Sequence, residues 1–527
     1  MTNKAGFMRT RSRTLFNIVL LGFLAACAPV GPEFVRPEVE LPGDWSGTGE
    51  NGLESSAIKQ PQWWRVFNDP VLNQLVETAW QQNNSLEIAG LRVLEARAQL
   101  GIAQGNQYPQ AQLAAGSAIY TSPANNVGAG SNFWQYGIGA SASWEIDFWG
   151  RFRRGIESAD AAYMASVAAR DQALILLTAQ VVNTYTIIRI NEEQLRYAHD
   201  NVKIQQRSYD ITGVLFRHGS DSELDMQQAH TLLLSTQATI PGFEIALQQA
   251  LNALNTLLGH NTGTIDDLLI GNQSIPALPE HIEVGIPADL LRRRPDVRQA
   301  ELNALAQNAL VGFAEADLYP SFSLTGSLGL IAGGPGGTDF GDLFNADALT
   351  YSIGPSFVWP FLNYGRIRNN VRVQDARLQQ ALVNYREVVL QAAREAEDAM
   401  VALNGALKQT ELLTQTVASA ERSNELSVLR FREGFSDYQR VLDSQQSLFS
   451  SQQRLVTQRG TAVASLVSLY KSLGGGWESQ AGQPLISEQS REQMQQRTNW
   501  GDLLEGGIPP IYPDHVSEQI PVNNDSR

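Results

Sequence analysis

The sequence predicts a mixed α and β membrane protein in which two internal structural repeats each combine long α-helices with two membrane-spanning β-strands. Three observations lead to this fold class. Two parts of the chain resemble each other at a constant offset, long stretches lack proline, and two segments alternate apolar with small or polar residues. A chain of 527 residues has room for several ordinary domains, but the repeat favours a pair of similar units instead.

The repeat is visible in short matched motifs. Gly150-Arg151 corresponds to Gly365-Arg366, and the sequence numbers differ by 365 − 150 = 215. Phe216–Gly219 (FRHG) corresponds to Phe431–Gly434 (FREG) at the same offset, 431 − 216 = 215. Tyr108-Pro109 corresponds to Tyr319-Pro320 at an offset of 319 − 108 = 211, a small difference that loop insertions absorb. Three matched pairs in one order indicate two copies of a structural unit.

Long helices are predicted from the absence of proline, because a proline inside a helix costs about 3 kcal/mol. Residues 124–240 and 361–483 contain none. Apolar residues recur at helical spacing in the first stretch, which predicts a helix of roughly 90 Å at 1.5 Å per residue. A return helix follows it and is expected to kink at Pro241, and the second copy repeats the pair. The four helices are predicted over residues 155–216, 222–258, 367–431 and 436–473.

Two segments show a period of two residues instead. In Trp134–Phe148 and in Tyr351–Phe361, apolar residues alternate with glycine, serine and other polar residues. Weaker alternation predicts partner strands over 110–121 and 321–332. An apolar face with aromatic residues near both ends is typical of a strand in an outer-membrane barrel. A strand of a soluble β-sandwich is the alternative interpretation.

Four strands cannot close a barrel. An open sheet edge in lipid leaves backbone groups without hydrogen bonds, at several kcal/mol each. The subunit is therefore expected to oligomerise, and three copies would supply about 12 strands around a lumen that can hold water. Residues 122–132 and 333–347 are rich in glycine, asparagine and aspartate, and they are predicted to be the extracellular loops.

The N-terminal segment 1–26 predicts an export signal with a lipid attachment site. An apolar run over 15–26, too short to span a membrane, follows four basic residues, Lys4, Arg9, Arg11 and Arg13. The segment ends Leu-Ala-Ala-Cys, as in bacterial lipoproteins, so Cys27 is predicted to carry a covalent lipid. An ordinary signal peptide before an incidental cysteine is the alternative. Ala28 is not the aspartate that commonly retains lipoproteins in the inner membrane, which favours the outer membrane.

Charge and cysteine content exclude other classes. Removal of the signal leaves 39 − 4 = 35 basic against 54 acidic residues, a formal charge of 35 − 54 = −19. Such a chain repels nucleic acid and favours cations in any lumen it lines. Cys27 is the only cysteine, so an intramolecular disulfide is excluded. After the signal no run of 18 apolar residues occurs, so a membrane role must depend on strands.

Catalysis finds little support, and no cofactor or metal is expected besides the covalent lipid. Glu145-Ile146-Asp147 places two carboxylates on one strand face, but Gly150 stands where a glycosidase with this pattern has its third. The pair is interpreted as polar residues that face the lumen near the barrel rim. The basic run Arg292–Arg294 is interpreted as structural, and Asp296 with Gln299 resembles a helix-capping pair.

Several further motifs follow one another in the order found in one known family. They are Trp63-Trp64 with Asp69-Pro70, Trp144–Arg151 (WEIDFWGR), Arg293–Arg298 (RRPDVR), Tyr319-Pro320-Ser321 and Val441-Leu442-Asp443. On these motifs the chain from Val30 to Trp477 resembles the TolC-like outer-membrane factors, in particular the lipoprotein branch of multidrug efflux systems. The resemblance implies a homotrimer whose 12-stranded transmembrane β-barrel continues into a periplasmic α-helical coiled-coil barrel. An equatorial belt would come from the N-terminal, middle and C-terminal segments.

The function implied by this resemblance is that of a passive conduit in the outer membrane of a Gram-negative bacterium. It would receive drugs or other small molecules from an inner-membrane pump through a periplasmic adaptor protein. A conduit for type I secretion of polypeptides is the alternative within the family. A structural envelope lipoprotein without a pore is the alternative from another class.

The resemblance also implies roles for residues near the tips of the helical hairpins. Family members close the tunnel there, and alignment on the tip glycines gives the gate positions Asp225, Gln439, Arg440 and Asp443. One branch of the family has an acid at the position of Arg440, so its part in the gate is open. The tips that would contact the adaptor are Arg217, His218, Gly219 and Ser220 in the first copy, and Arg432, Glu433, Gly434, Phe435 and Ser436 in the second. A solvated helix position or an ordinary surface turn is the alternative for each.

These predictions divide the chain into ten segments. They are a signal peptide (1–26), a lipid-anchored equatorial segment (27–70), a periplasmic helix (71–107), the first strand pair (108–150), the first helical hairpin (151–259), an equatorial linker (260–287), a second periplasmic helix (288–318), the second strand pair (319–365), the second helical hairpin (366–473) and an equatorial tail (474–527).

Overall fold

The computed structural model describes residues 29–39, 45, 53–54, 62–122, 132–263, 265, 269, 274–279, 281–283, 293–333, 339–480, 482–505 and 507. The predicted signal peptide and Cys27 lie outside the described residues, as does most of the first predicted loop. The chain divides into two compact units, and each is described by itself. Unit 1 falls within residues 1–37, 94–165 and 300–385, and unit 2 within 38–93, 166–299 and 386–527.

Helices and strands alternate in two similar series. In chain order they are β1 (Leu53–Glu54), α1 (Pro70–Gln82), α2 (Asn84–Gly105), β2 (Ala111–Thr121), β3 (Phe133–Ile146), α3 (Arg151–Arg217), α4 (Glu223–Gln237), α5 (Ile240–Leu257), β4 (Ile282–Glu283), α6 (Pro295–Ala316), β5 (Ser321–Gly333), β6 (Leu349–Val358), α7 (Arg366–Arg432), α8 (Tyr438–Ser472) and α9 (Glu488–Arg497). β1 and β4 form a small parallel ladder, and the other four strands form one sheet.

The two longest helices have equal lengths. α3 and α7 contain 67 residues each. Their first residues, Arg151 and Arg366, stand at the same offset as the matched motifs, 366 − 151 = 215. Each helix follows a glycine with positive φ, Gly150 at +76° and Gly365 at +82°. Among the described helices, α3 alone has a window long and apolar enough to cross a membrane, and 61% of that window is buried, as in a core helix.

The return segments differ between the two copies. α8 is continuous over 35 residues, whereas the corresponding segment of the first copy is divided into α4 and α5. The predicted kink at Pro241 is therefore a break, and it lies just before this residue. Pro241 lies in the first turn of α5, where backbone N–H groups have no acceptor within the helix, so the proline breaks no helical hydrogen bond.

The four-stranded sheet of unit 1 is antiparallel, with the order β2-β3-β5-β6. Ala140 of β3 pairs with Ala114 of β2 and with Leu328 of β5, and Leu328 pairs with Tyr351 of β6. β2 and β6 are the edges, and in the part of the chain that the structure describes each has one side without a strand partner.

The faces of the sheet follow the predicted alternation in β3, β5 and β6. Trp134, Ile138 and Tyr351 belong to the apolar face and are exposed, whereas the hydroxyl oxygens of Ser327 and Ser352, on the other face, lie 2.8 Å apart. β2 departs from the pattern. Its Leu113 and Ile119 pair with Ser141 and Gln135 and so lie on the otherwise polar face.

Aromatic rings gather at both ends of the sheet. At the loop end, five aromatic rings form a chain of contacts in which the centroids of neighbouring rings lie 5.2 to 6.1 Å apart. They are Tyr120, Trp134, Tyr136, Phe340 and Phe344. At the helix end, centroids 4.6 to 6.3 Å apart connect Phe148, Trp149, Tyr319, Phe322 and Phe357. β6 ends at Val358, three residues before the end of the predicted alternation at Phe361.

A glycine pair allows β3 and β5 to approach each other closely. Gly139 of β3 and Gly329 of β5 are register partners. A Cβ atom on Gly139 would lie 3.0 Å from the Cα of Gly329 and 3.0 Å from the carbonyl oxygen of Leu328. The two backbones therefore approach more closely here than side chains would allow.

The N-terminal strap, residues 29–36, is held against unit 1. The N–H of Val30 donates to the carbonyl oxygen of Trp149 at 3.0 Å, and Nε of Arg154 donates to the carbonyl oxygen of Val30 at 3.1 Å. Gly31 packs on Gly312, where a Cβ on Gly31 would lie 2.3 Å from the Cα of Gly312. The strap therefore begins at the helix end of the sheet.

Arg294 joins three segments of unit 2. Its guanidinium donates to Asp296 at 2.6 Å, to Glu395 at 2.9 Å and to the carbonyl oxygen of Ser472 at 2.9 Å. Asp296 was predicted to cap a helix together with Gln299. α6 begins at Pro295, so Asp296 lies inside the first turn and not before it. Its carboxylate accepts the N–H of Val297 at 2.9 Å and also binds Arg294.

The largest core lies in unit 2 and is built on tryptophans. Trp63 stacks on Tyr470 with centroids 5.4 Å apart, and Trp64 meets Trp80 edge to face at 4.8 Å. The carboxylate of Asp69, 1% exposed, accepts hydrogen bonds from the N–H groups of Val71 and Leu72 at 2.9 and 3.3 Å. It also accepts one from the hydroxyl of Tyr185 at 2.6 Å. Asp69 therefore both caps α1 and ties it to α3.

Replacement of Asp69 by alanine should lower the free energy of unfolding by about 2–3 kcal/mol, because a cap is lost and a buried hydroxyl loses its acceptor. Asp437→Ala is a matched control, since Asp437 precedes α8 without a side-chain capping bond, and it should cost less than about 0.5 kcal/mol. Urea unfolding of the detergent-solubilised protein, followed by circular dichroism, measures both. Equal losses would contradict the double role of Asp69.

Candidate functional site

Both long helices end in the same kind of turn. After α3, the N–H of Gly219 donates to the carbonyl oxygen of Phe216 and that of Ser220 to Leu215, both at 2.9 Å. Gly219 has φ +71°, and no atom lies within 4 Å of an added Cβ. This is a Schellman motif, in which glycine takes the left-handed position and the last carbonyl groups find donors.

The turn after α7 has the same geometry. The N–H of Gly434 donates to the carbonyl oxygen of Phe431 at 3.0 Å, and that of Phe435 to Arg430 at 2.9 Å. Gly434 has φ +79°. All nine residues predicted to contact an adaptor are exposed except Ser436, which is half-buried. Phe435 stands out, because 76% of its surface is exposed.

An apolar cluster lies directly behind the tips. Tyr438, Ala229 and Val441 are buried and pack with Phe431. The rings of Phe431 and Tyr438 meet with centroids 5.4 Å apart, and burial raises the pKa of Tyr438 to about 12. The cluster joins the start of α8 to α4 and to the end of α7, so it fixes the geometry of both tips.

Buried polar contacts extend this cluster away from the tips. Nε2 of Gln445, which is 1% exposed, donates to the hydroxyl oxygen of Ser208 at 2.7 Å. Further along, Nδ2 of Asn201 donates to Oε1 of Gln452 at 2.8 Å. Sequence reasoning missed these residues, because glutamine and asparagine on a helix resemble solvated positions.

Asp225 of the predicted gate takes part in a helix cap. Its N–H donates to Oγ of Ser222 at 3.1 Å, and the hydroxyl of Ser222 donates to the carboxylate of Asp225 at 2.5 Å. Asp221 lies beside them, and its pKa is raised by burial and by its interaction with Asp225. Ser222 is therefore the N-cap of α4, and its own N–H donates to the carboxylate of Asp221 at 3.0 Å.

The other predicted gate residues lie together at the start of α8. Nε2 of Gln439 donates to Oδ1 of Asp443 at 2.8 Å. Gln439, Arg440 and Asp443 are exposed, and Arg440 forms no ion pair among the described residues. No hydrogen bond or ion pair between described residues joins Asp225 to these three.

A second candidate region is a cavity of about 290 Å³ in unit 1, at the helix end of the sheet. Arg151 is one of the residues that line it, and its guanidinium forms ion pairs with the carboxylate of Glu145 at 3.4 Å and that of Asp317 at 3.3 Å. Asp147 was expected to face the lumen beside Glu145. Its carboxylate instead accepts the N–H groups of Phe152 and Arg153 at 3.1 and 3.0 Å, so it caps α3 and is mostly buried.

Among the described residues, no group of three or more histidine, cysteine or acidic side chains lies close enough together to hold a metal ion. Cys27 and its predicted lipid lie outside the described residues. The chemistry of the two regions is therefore that of charged, hydrogen-bonding and apolar surfaces.

Known proteins are similar to this chain in sequence and in fold. The family model for the outer membrane efflux protein matches residues 75–260 and 286–475. The cation efflux system protein CusC of Escherichia coli is 30% identical over 465 residues, which cover 87% of this chain and 99% of the relative. The probable outer membrane lipoprotein SilC of Salmonella typhimurium is 30% identical, with 88% and 98% covered. The solved outer-membrane channel OprN is 29% identical and superimposes with a TM-score of 0.80, covering 85% of this chain and 99% of that structure. The chain belongs to the outer membrane efflux protein family.

Proposed function

We propose that the chain is the outer-membrane channel subunit of a tripartite efflux pump and acts as a homotrimer. It conducts drugs or other small molecules passively from a periplasmic adaptor protein and an inner-membrane pump to the outside. The observation that carries the proposal is the four-stranded sheet with two open edges and an exposed apolar face. The two matches of one family model, 75–260 and 286–475, support two structural repeats in each subunit.

The sheet has the dimensions of a membrane-spanning strand set. Ten residues separate Tyr136 and Ile146, which is roughly 33 Å along a strand and about 25 Å in height at a tilt of about 40°. Aromatic rings lie at both ends of this band. Pairing of the β2 edge of one copy with the β6 edge of the next would satisfy both edges and give 12 strands in a trimer.

The long helices fit assembly around a common axis. α7 carries exposed apolar side chains over much of its length: Val383, Leu390, Val401 and Leu412 are 53 to 63% exposed. Such a row on an isolated chain favours burial against another copy. Three copies of α3, α4, α5, α7 and α8 would then form the helical coiled-coil barrel of the periplasmic part.

Lipid attachment at Cys27 gains support from the relative SilC, whose name describes a lipoprotein. The strap begins two residues after Cys27, at Pro29, and contacts the helix end of the sheet through Val30. Two residues span at most about 7 Å. A lipid on Cys27 would therefore enter the membrane beside that end of the sheet.

The mechanism needs no chemical step, and we propose no enzymatic activity and no cofactor. The name of CusC describes cation efflux, and the acidic character of this chain favours cationic or neutral solutes in the tunnel. Three copies of Asp443 around the axis would repel one another, attract cations and form the narrowest charged ring, with Asp225, Gln439 and Arg440 beside it. The tips at 217–220 and 432–436 would receive the adaptor.

Deletion of the gene should increase susceptibility to small toxic compounds, and the purified protein should form trimers that conduct ions in planar bilayers. Unchanged susceptibility together with loss of an exported polypeptide would favour the secretion alternative. A trimer or monomer without any conductance would favour the structural lipoprotein and contradict the channel.

Asp443→Asn should reduce the preference of the channel for cations over anions several-fold, because a ring of three negative charges is lost. Glu425→Gln is the matched control. It removes the same charge from an exposed residue, Glu425, which is paired with Arg422 on α7, and should leave the preference unchanged. Reversal potentials under a salt gradient measure both variants. If Asp443→Asn behaves as the control does, Asp443 has no part in the gate.

Phe435→Ser should weaken adaptor docking by about ten- to a hundredfold, because an exposed phenylalanine that becomes buried contributes about 1.5–3 kcal/mol. Phe344→Ser is the control, since Phe344 is 67% exposed and lies in the loop after β5. Both variants should conduct in bilayers, but only Phe344→Ser should restore resistance to the deletion strain. Full restoration by Phe435→Ser would exclude this residue from the docking tip.

A further inference from the structure

The two places where the sheet passes into a long helix differ in how their arginines are used. Before α3, Arg151 contacts Glu145 and Asp317, and Arg153 contacts Asp147 at 3.4 Å. Arg154 contacts Glu33 and Glu157 at 3.0 and 2.8 Å. Every arginine of the first junction therefore has a carboxylate of its own chain.

The second junction, residues 359–374, has arginines without such partners. Arg366, Arg368 and Arg372 are exposed, and none forms an ion pair with any residue that the structure describes. Nη1 of Arg372 donates only to the side chain of Asn369, at 3.0 Å. The segment contains these three arginines, and the first acidic residue after it is Asp375, in a chain with a formal charge of −15.

This arrangement opposes helix electrostatics. The first turns of a helix favour anions, because unpaired N–H groups point outward there. α7 instead has no acid in its first turn and three cations within its first seven residues. A bound anion would remove this conflict.

Exposed aromatic residues precede the arginines and mark the edge of the hydrocarbon region. Trp359 and Phe361 are 51% and 68% exposed, and their ring centroids lie 6.0 Å apart. Tyr364 is 96% exposed and adopts φ +49°, a left-handed conformation that disfavours a tyrosine. A strained backbone that holds an aromatic ring in full exposure is typical of a contact made by the ring.

We infer that the second junction binds the phosphate groups of phospholipids in the periplasmic leaflet, through Arg368 and Arg372, with Tyr364 at the boundary of the hydrocarbon. This inference rests on the proposed outer-membrane channel. Arg368 and Arg372 lie about 3 and 9 Å beyond the start of α7 at 1.5 Å per residue. The headgroup region of a bilayer leaflet is about 5–8 Å thick. Both arginines therefore fall at or next to the depth of the phosphates.

The β2 edge of a second copy offers no anion to these arginines. In a trimer the β6 edge of one subunit would meet the β2 edge of the next. The sequence that contains β2 and the end of α2 has no acidic residue between Glu95 and Glu145. Lipid phosphate offers the complementary charge at this depth, and arginine binds phosphate oxygens in a bidentate manner.

Native mass spectrometry tests the inference on the full-length protein, delipidated in detergent and titrated with dioleoylphosphatidylglycerol. Arg368→Gln with Arg372→Gln should weaken lipid binding by about thirtyfold, at roughly fivefold for each arginine. Arg368→Lys with Arg372→Lys should lose less, because the charge remains. Arg377→Gln with Arg386→Gln removes the same charge further along α7 and should match the wild type. Dioleoylglycerol has the same acyl chains but no phosphate, and all of these proteins should bind it equally.

Tyr364→Asn separates the ring from the backbone, because asparagine tolerates the left-handed conformation. It should reduce the number of retained lipids without loss of the trimer. Equal phosphatidylglycerol binding by the wild type and the double glutamine variant would overturn the inference. If the double glutamine variant lost the trimer while lipid binding was unchanged, the inference would also be overturned. The arginines would then belong to a contact between subunits. Conductance of the same samples is measured in parallel, and its absence from the wild type would refute the channel itself.

Discussion

Backbone hydrogen bonding at the edges of the four-stranded sheet is the constraint on which the rest of the structure depends. Inside hydrocarbon, an unpaired N–H or carbonyl group has no water to bind, so β2 and β6 need strand partners. The exposed apolar face and the aromatic rings at both ends have the same requirement, since water is a poor environment for them. A chain with this sheet is therefore incomplete alone. The exposed apolar row on α7 also lacks a partner within the described chain, and the proposed assembly of three copies would bury both surfaces.

Local hydrogen bonds make the passage from strand to helix abrupt. The carboxylate of Asp147 leaves the line of β3 and caps α3, and Gly150 provides the left-handed turn between them. At the opposite ends of the long helices, Gly219 and Gly434 reverse the chain with the same pair of backbone bonds. Each long helix is thus defined by a glycine at both ends, which explains why α3 and α7 have equal lengths although most of their side chains differ.

Helices and strands were predictable because strands show a two-residue alternation and long helices exclude proline. The absence of proline placed α3, α7 and α8 within a few residues of their observed ends, and alternation located β3 and β6. Side-chain partners were not predictable in this way. Asp147 and Asp225 resembled exposed or functional carboxylates in sequence, yet each binds groups of its own chain. Asp296 resembled a helix cap, and its carboxylate binds the guanidinium of Arg294. Tyr438 was missed because one aromatic residue after a turn carries no signal of the cluster that surrounds it. Contacts between distant segments decide such roles, and periodicity contains no information about them.

Side chains that differ between the two copies are informative, because they occupy corresponding positions on similar backbones. The constant offset between the copies aligns Arg151 with Arg366 and Arg153 with Arg368, so geometry alone does not explain why one set is ion-paired and the other is not. The first copy also has the reciprocal Ser222–Asp225 cap, whereas Asp437 before α8 makes no capping bond. In these contacts the first copy satisfies its polar groups internally, while the second leaves Arg366 and Arg368 exposed and without an ion pair to any described residue. Exposed groups that the fold could have paired, and does pair in the other copy, are the positions where a partner outside the chain is to be sought.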